Sequence, residues 1–226
     1  METPVAEPSA DEGTPRPMTP DPFPWIVGRV ASRAESIVDN LQETHYTHVE
    51  HIDVAAGVYD CDCSGFVGFV LQEVAPTHYG LIPFDGSEPR PRAFEYYDFF
   101  SSLTPESTGG WHQIDFLRDA RRGDIMAWRL PEIQKGHDTG HVFFVAETPA
   151  MIDPGTFAVR VYDSARIPHY DDTRGNEAGE PASGVGTGFI NFKVDDAGRP
   201  ARFQFGPTEP DFVKLPIAVG RIEPLP

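Results

Sequence analysis

The chain has 226 residues, 35 of them acidic and 18 basic, which gives a formal net charge of −17. Such a surplus repels phosphate backbones and argues against nucleic acid as a partner. No run approaches the ~18 apolar residues of a membrane span, and two cysteines cannot build a disulfide scaffold. Apolar residues make up 39%, enough for one sizeable core, while 23 prolines and 21 glycines argue against an all-helical protein.

Residues 1–24 hold seven prolines and, after Met1, only Val5, Met18 and Phe23 as sizeable apolar side chains. Such a segment cannot offset its ordering entropy by burial, so an extended or flexible lead-in is expected. It lacks the basic n-region and apolar h-region of a signal peptide. A cytoplasmic chain is expected, or a periplasmic, secreted or envelope one if a signal or anchor has been removed. Residues 25–226 read as a single domain.

Ile26, Val30, Ala34, Ile37 and Leu41 recur every three or four residues, which predicts an amphipathic helix over 25–44. Residues 45–62 read as irregular. Their His45, His48 and His51 would share a helix face and could bind metal, but Thr44, Thr47 and Val49 are poor helix formers, so a solvated loop is expected. A short apolar helix follows over 63–74. Residues 76–122 read as loops with a helix near 92–103. Strands are then predicted at 124–129, 141–147, 157–163, 189–194, 201–205 and 217–222, from β-branched and aromatic runs between turns. Residues 175–188 read as a glycine-rich connection. Helices first and antiparallel strands second make an α+β order.

The sharpest local feature is Asp60-Cys61-Asp62-Cys63-Ser64-Gly65-Phe66-Val67. Cys63 stands where irregular chain becomes helix, a position expected to lower a thiol pKa. The free amides of that first turn could hold an oxyanion. Cys61, two residues away, would bridge Cys63 only with strain and reads as a separate thiol. His141 opens the strongest strand and would serve as base. If 141–148 and 156–163 pair as a hairpin, His141 faces Asp163, which would orient its ring. His169 is a second candidate orienter, or a substrate contact. His137 reads as a loop residue, and Trp128 as core.

The blocks DCSGFV (Asp62–Val67), RRGDIMAW (Arg121–Trp128) and GHVFFVAE (Gly140–Glu147) resemble, in kind and order, those of the NlpC/P60 cysteine peptidases. The resemblance covers about residues 45–165. It implies a papain-like fold, with a nucleophile-bearing helix packed on an antiparallel sheet. Cys63 would be the nucleophile, His141 the base and Asp163 the third residue. An oxyanion-hole tyrosine would be Tyr46 or Tyr59, with Ser64 beside the nucleophile. The implied activity is hydrolysis of peptide or amide bonds, above all in stem peptides of bacterial peptidoglycan, by a monomer with no cofactor and no metal. The alternatives are an acyltransferase or deamidase acting on a protein or lipid, or an inactive wall-binding module. The insert at 76–122 and the strands after Asp163 depart from a minimal domain.

Overall fold

A computed structural model describes residues 24–86, 88–134, 136–175 and 182–225. The proline-rich lead-in up to residue 23 and part of the glycine-rich connection therefore lie outside the described residues.

Helix α1 (Pro24–Asp39) buries Ile26, Val30, Ala34 and Ile37 along one face, as the spacing predicts. It stops at Asp39 rather than at residue 44. The amides of Gln42 and Glu43 both donate to the Gly57 carbonyl, and Glu43 bridges to Val58. A neighbouring segment has thus captured the backbone bonds that a last helical turn would need. That segment corrects the irregular reading of 45–62. Strands β1 (His51–Asp53) and β2 (Val58–Asp60) form a small antiparallel ladder there. Helix α2 (Cys63–Val74) follows, then the single turn α3 (Pro76–Tyr79) and helix α4 (Ala93–Ser102).

The insert is less loop-like than its composition suggests. Tyr96 and Phe100 of α4 are fully buried. Strand β10 (Ile217–Ile222) accepts Phe100 against Gly220, where a Cβ would come within 2.3 Å of the ring. Between α4 and the main strands lies β3 (Trp111–Gln113), which the sequence does not announce.

Strands β4 (Ile125–Arg129), β5 (Gly140–Val145), β6 (Ala150–Asp153), β7 (Thr156–Ala165), β8 (Gly184–Val194) and β9 (Pro200–Gln204) complete the chain. They join β3 and β10 in an antiparallel sheet ordered β3-β10-β4-β5-β7-β8-β9, with β6 on the flank of β7. The protein is therefore α+β with one large antiparallel sheet and few helices.

Alternation along each strand divides the core in two. Val142, Phe144, Ile125, Ala127 and Tyr162 face α1, α2 and α4. Phe143, Val145, Met126, Val159 and Val161 face the other way. There the sheet curls over itself, and Phe203 of β9 stacks on Trp128 of β4 with ring centroids 3.9 Å apart and planes 17° apart. The strands after Asp163 thus supply the second layer that covers this face. Among the described residues no helix is long and apolar enough to cross a membrane.

Candidate active site

Asp62 fixes where α2 begins. Its extended backbone lies outside the helix, and its carboxylate accepts the Gly65 amide at 2.8 Å, an N-cap. The same oxygen accepts from Ser64 Oγ at 2.9 Å and from Arg90 Nη2 at 2.9 Å. Its other oxygen lies 2.8 Å from His48 Nδ1. Burial would raise this carboxyl, yet Arg90, His48 and the Gly65 and Ser64 donors hold it below the usual aspartate range. Ser64 is buried and also accepts from Arg90, so it serves the cap rather than a substrate. The three spaced histidines do not share one partner. His45 and His51 turn to Asp60 and His48 to Asp62, mostly in solvent, as a solvated segment would.

The thiol of Cys63 meets the sheet at a gap. The β5–β7 ladder pairs Phe144 with Tyr162 and Val145 with Val161 and stops there. The Val142 amide, on the side facing β7, donates to Cys63 instead. Ser164 of β7 donates to the Cys61 carbonyl at 2.7 Å and clamps the segment before Cys63 against β7. Cys63 and Cys61 are both buried free thiols. The lowered thiol pKa expected at a helix N-terminus is not what results. Burial first, then the Asp62 charge, with Asp138 and Asp163 behind it, push Cys63 well above the ordinary thiol range, against the pull of the Val142 amide. The helix dipole is a fraction of a charge at its terminus, and here a full carboxylate caps that same terminus.

His141 lies one residue before Val142, and its ring stands on the sheet face opposite α2. Gly140 makes this turn possible. Its φ is +130°, and a Cβ would fall 2.0 Å from the Trp128 carbonyl oxygen. The imidazole packs beside Trp128, with centroids 5.1 Å apart, and against the edge of Phe205 at 5.3 Å. Its Nε2 donates to Asp163 Oδ2 at 2.6 Å. The contact expected between these residues exists, but the register differs. The observed ladder, extended, sets Asp163 across from Phe143, so His141 reaches it diagonally. A shift of two residues keeps both side chains on one face, whereas a shift of one would have separated them.

Asp163 has no exposed surface and is the hub of a buried polar cluster. His169 Nε2 donates to Oδ2 at 2.8 Å, and Arg174 Nη2 donates to Oδ1. Arg174 also donates to the carbonyls of Asp163 at 2.9 Å and Gly184 at 2.6 Å, and to Asp172 Oδ2 at 2.6 Å. Burial alone would raise the Asp163 pKa, but Arg174, His169 and His141 together hold it well below the ordinary value. His169 is therefore a second partner of Asp163 rather than its replacement. Its side chain is buried, with Nδ1 3.0 Å from the Phe205 carbonyl oxygen, which removes it from substrate contact.

Arg174 escapes a sequence reading. The signal that could have found it is Gly184-Val185-Gly186-Thr187-Gly188. Spacing of two on a strand puts all three glycines on one face of β8 and leaves that face bare for another chain segment. Arg174 and Asp172 lie there. A Cβ on Gly186 would come within 2.7 Å of Arg174 Cγ, and one on Gly188 within 2.9 Å of Asp172 Oδ2. This also corrects the reading of 175–188 as connection, since β8 already runs from Gly184.

Tyr46 stands over the cleft at His141, with the Arg166 guanidinium 5.5 Å from its ring centroid. Burial, with Cys63 and Asp62 nearby, keeps its phenol protonated far above the usual tyrosine range. Tyr59 is a different case: it is buried in the helical core edge-on to Phe69, away from the cleft. His137 is exposed, and its carbonyl accepts from Arg92.

His141, Asp163 and His169 are the described side chains whose donor atoms lie close enough to share a metal ion. Both imidazoles, however, point their Nε2 atoms at one carboxylate oxygen at hydrogen-bond distance, and a guanidinium holds the other oxygen. A cation set against the ligand shell opposes a second cation, so the set suits a hydrogen-bonded relay better than a metal. Comparison of the chain with family models, with curated proteins and with solved structures yields no match. Fold and site together define an α+β protein with one large antiparallel sheet, a buried thiol at the start of α2 and a buried imidazole–carboxylate pair on the opposite face of that sheet.

Proposed function

We propose that the protein is a cysteine hydrolase of papain-like NlpC/P60 type, cleaving peptide or amide bonds through Cys63, His141 and Asp163. The observation that carries the reading is the division of labour on the His141 ring. Asp163 is ionised and takes the Nε2 hydrogen, which leaves the Nδ1 lone pair as the basic site. The thiol is bonded by the very next residue of the same strand.

With the thiol pKa raised, Cys63 rests as a neutral thiol rather than as a thiolate. His141 Nδ1 takes the Cys63 proton as sulfur attacks the substrate carbonyl. Asp163 steadies the imidazolium that forms. The first-turn amides of Cys63 and Ser64, which a helix leaves without an internal acceptor, and the Tyr46 hydroxyl stabilise the oxyanion. His141 then gives its proton to the departing amine, and water repeats the sequence on the thioester. The resemblance directs the substrate search to peptidoglycan stem peptides.

The test is turnover of a peptide and amide library, peptidoglycan fragments included, by the wild-type chain and by Cys63→Ala. Turnover that vanishes in Cys63→Ala at unchanged thermal stability is expected; turnover that survives it overturns the assignment. An acyl group passed to an added amine would indicate a transferase.

A further inference from the structure

A cleft of about 290 Å³ opens beside His141. Its inner walls are Trp128, Phe203, Phe205, Leu130, Val213 and Leu215, and its rim carries Asp138, Glu209 and Arg166. Gly140, His141 and Tyr46 also line it, whereas Cys63 does not. The walls come from β4 and from the strand and loop after residue 200, so the added C-terminal layer makes the cleft.

We infer that this cleft is the subsite for the amine side of the substrate and takes a bulky apolar group there. The inference rests on the cysteine chemistry proposed above. In that chemistry the acyl half becomes bonded to sulfur, and the amine half receives its proton from His141. The two halves therefore lie on opposite sides of the Cys63–His141 axis, and a cleft walled by His141 but not by Cys63 belongs to the amine. The composition sets the preference. The stacked pair Trp128 and Phe203 is nearly fully buried and offers no polar group to a ligand beyond the indole N–H. An apolar cavity of roughly 150 Å³ takes benzene, so a ring or a branched aliphatic chain has room. Two rim carboxylates against one guanidinium disfavour an acidic group.

The reverse of the leaving-group step gives a direct assay. An amine seated in the cleft attacks the Cys63 thioester. The carbon–sulfur bond breaks as the carbon–nitrogen bond forms, and the amine proton passes through His141 to the sulfur. Phenylalaninamide and glycinamide differ only in the side chain the cleft would take. First, each is titrated into Cys63→Ala and followed by saturation-transfer NMR. Burial of the aromatic side chain is expected to favour phenylalaninamide on the order of ten- to a hundred-fold. Second, the wild-type chain is acylated with p-nitrophenyl acetate in the presence of each amine, and the N-acetyl products are compared. Phenylalaninamide should be acetylated about tenfold more, and Val213→Asp, at an exposed point of the wall, should bring the ratio close to one. Equal binding of the two amides overturns the inference whatever the chemistry, as does an acetyl-enzyme with no preference between them. A binding preference lost in Val213→Asp, with no acetyl-enzyme at all, upholds the apolar site and overturns the cysteine chemistry instead.

Discussion

Removing the Arg174 side chain should cost this protein a large part of its stability, and the structure gives both the size and the pH signature of the loss. The guanidinium is buried and bonded to the carboxylates of Asp163 and Asp172 and to the carbonyls of Asp163 and Gly184. Arg174→Ala leaves two buried carboxylates without their cation. Breaking a buried pair from one side costs about 3–5 kcal/mol, against a total of about 5–15 kcal/mol for a typical domain. The lysine variant keeps the charge but loses the planar fork, and should fall between. The pH dependence follows from the depressed Asp163 carboxyl. A group whose folded pKa lies below its unfolded value stabilises fully above the unfolded value, 3.8 for aspartate, and loses that effect as pH falls toward the folded one. The gap between wild type and Arg174→Ala should therefore be full at about pH 7 and shrink below about pH 4, where the wild type gives up the same interaction. Urea unfolding across that range, with exposed Arg166→Ala as a control expected within about 0.5 kcal/mol of wild type, measures it. A loss below about 1 kcal/mol at neutral pH, or a gap that does not change with pH, would refute the ionised, Arg174-held Asp163 on which the orientation of His141 depends.

Three further outcomes follow from the same geometry. Cys63 should alkylate slowly at neutral pH and accelerate only above the ordinary thiol pKa, because burial and the Asp62 charge oppose the thiolate. Asp62→Asn should lower the pH at which it reacts while destabilising the fold; a pH–rate profile of iodoacetamide labelling, resolved from Cys61 by fragment-ion mapping, checks both. Gly186→Ala should cost about 1–3 kcal/mol through the Cβ that meets Arg174, whereas Gly28→Ala, with open space around it, should not destabilise the helix; thermal melts of the two variants compare them.

What was legible in the sequence was local. The period of α1, the apolar run of α2, and the β-branched and aromatic runs of β4, β5 and β7 each state their conformation within a dozen residues. Cys63, His141 and Asp163 could be chosen because their positions on those elements follow from periodicity. Alternation tolerates an error of two in register, which is why the His141–Asp163 contact was reached from the wrong pairing.

Everything that depends on one segment capturing another was decided by the tertiary structure. The end of α1 is set by Gly57, and the raised thiol pKa by burial together with a capping carboxylate that a helix-dipole argument ignores. Tyr59 belongs to the core because β2 turns it toward Phe69. Arg174 reaches Asp163 because Gly186 and Gly188 clear one face of β8 for its segment, and the cleft beside His141 exists because β9 curls back onto Trp128. Propensity and period act over a few residues, whereas burial and charge pairing act through space. A chain therefore announces which side chains it offers long before it shows which of them will meet.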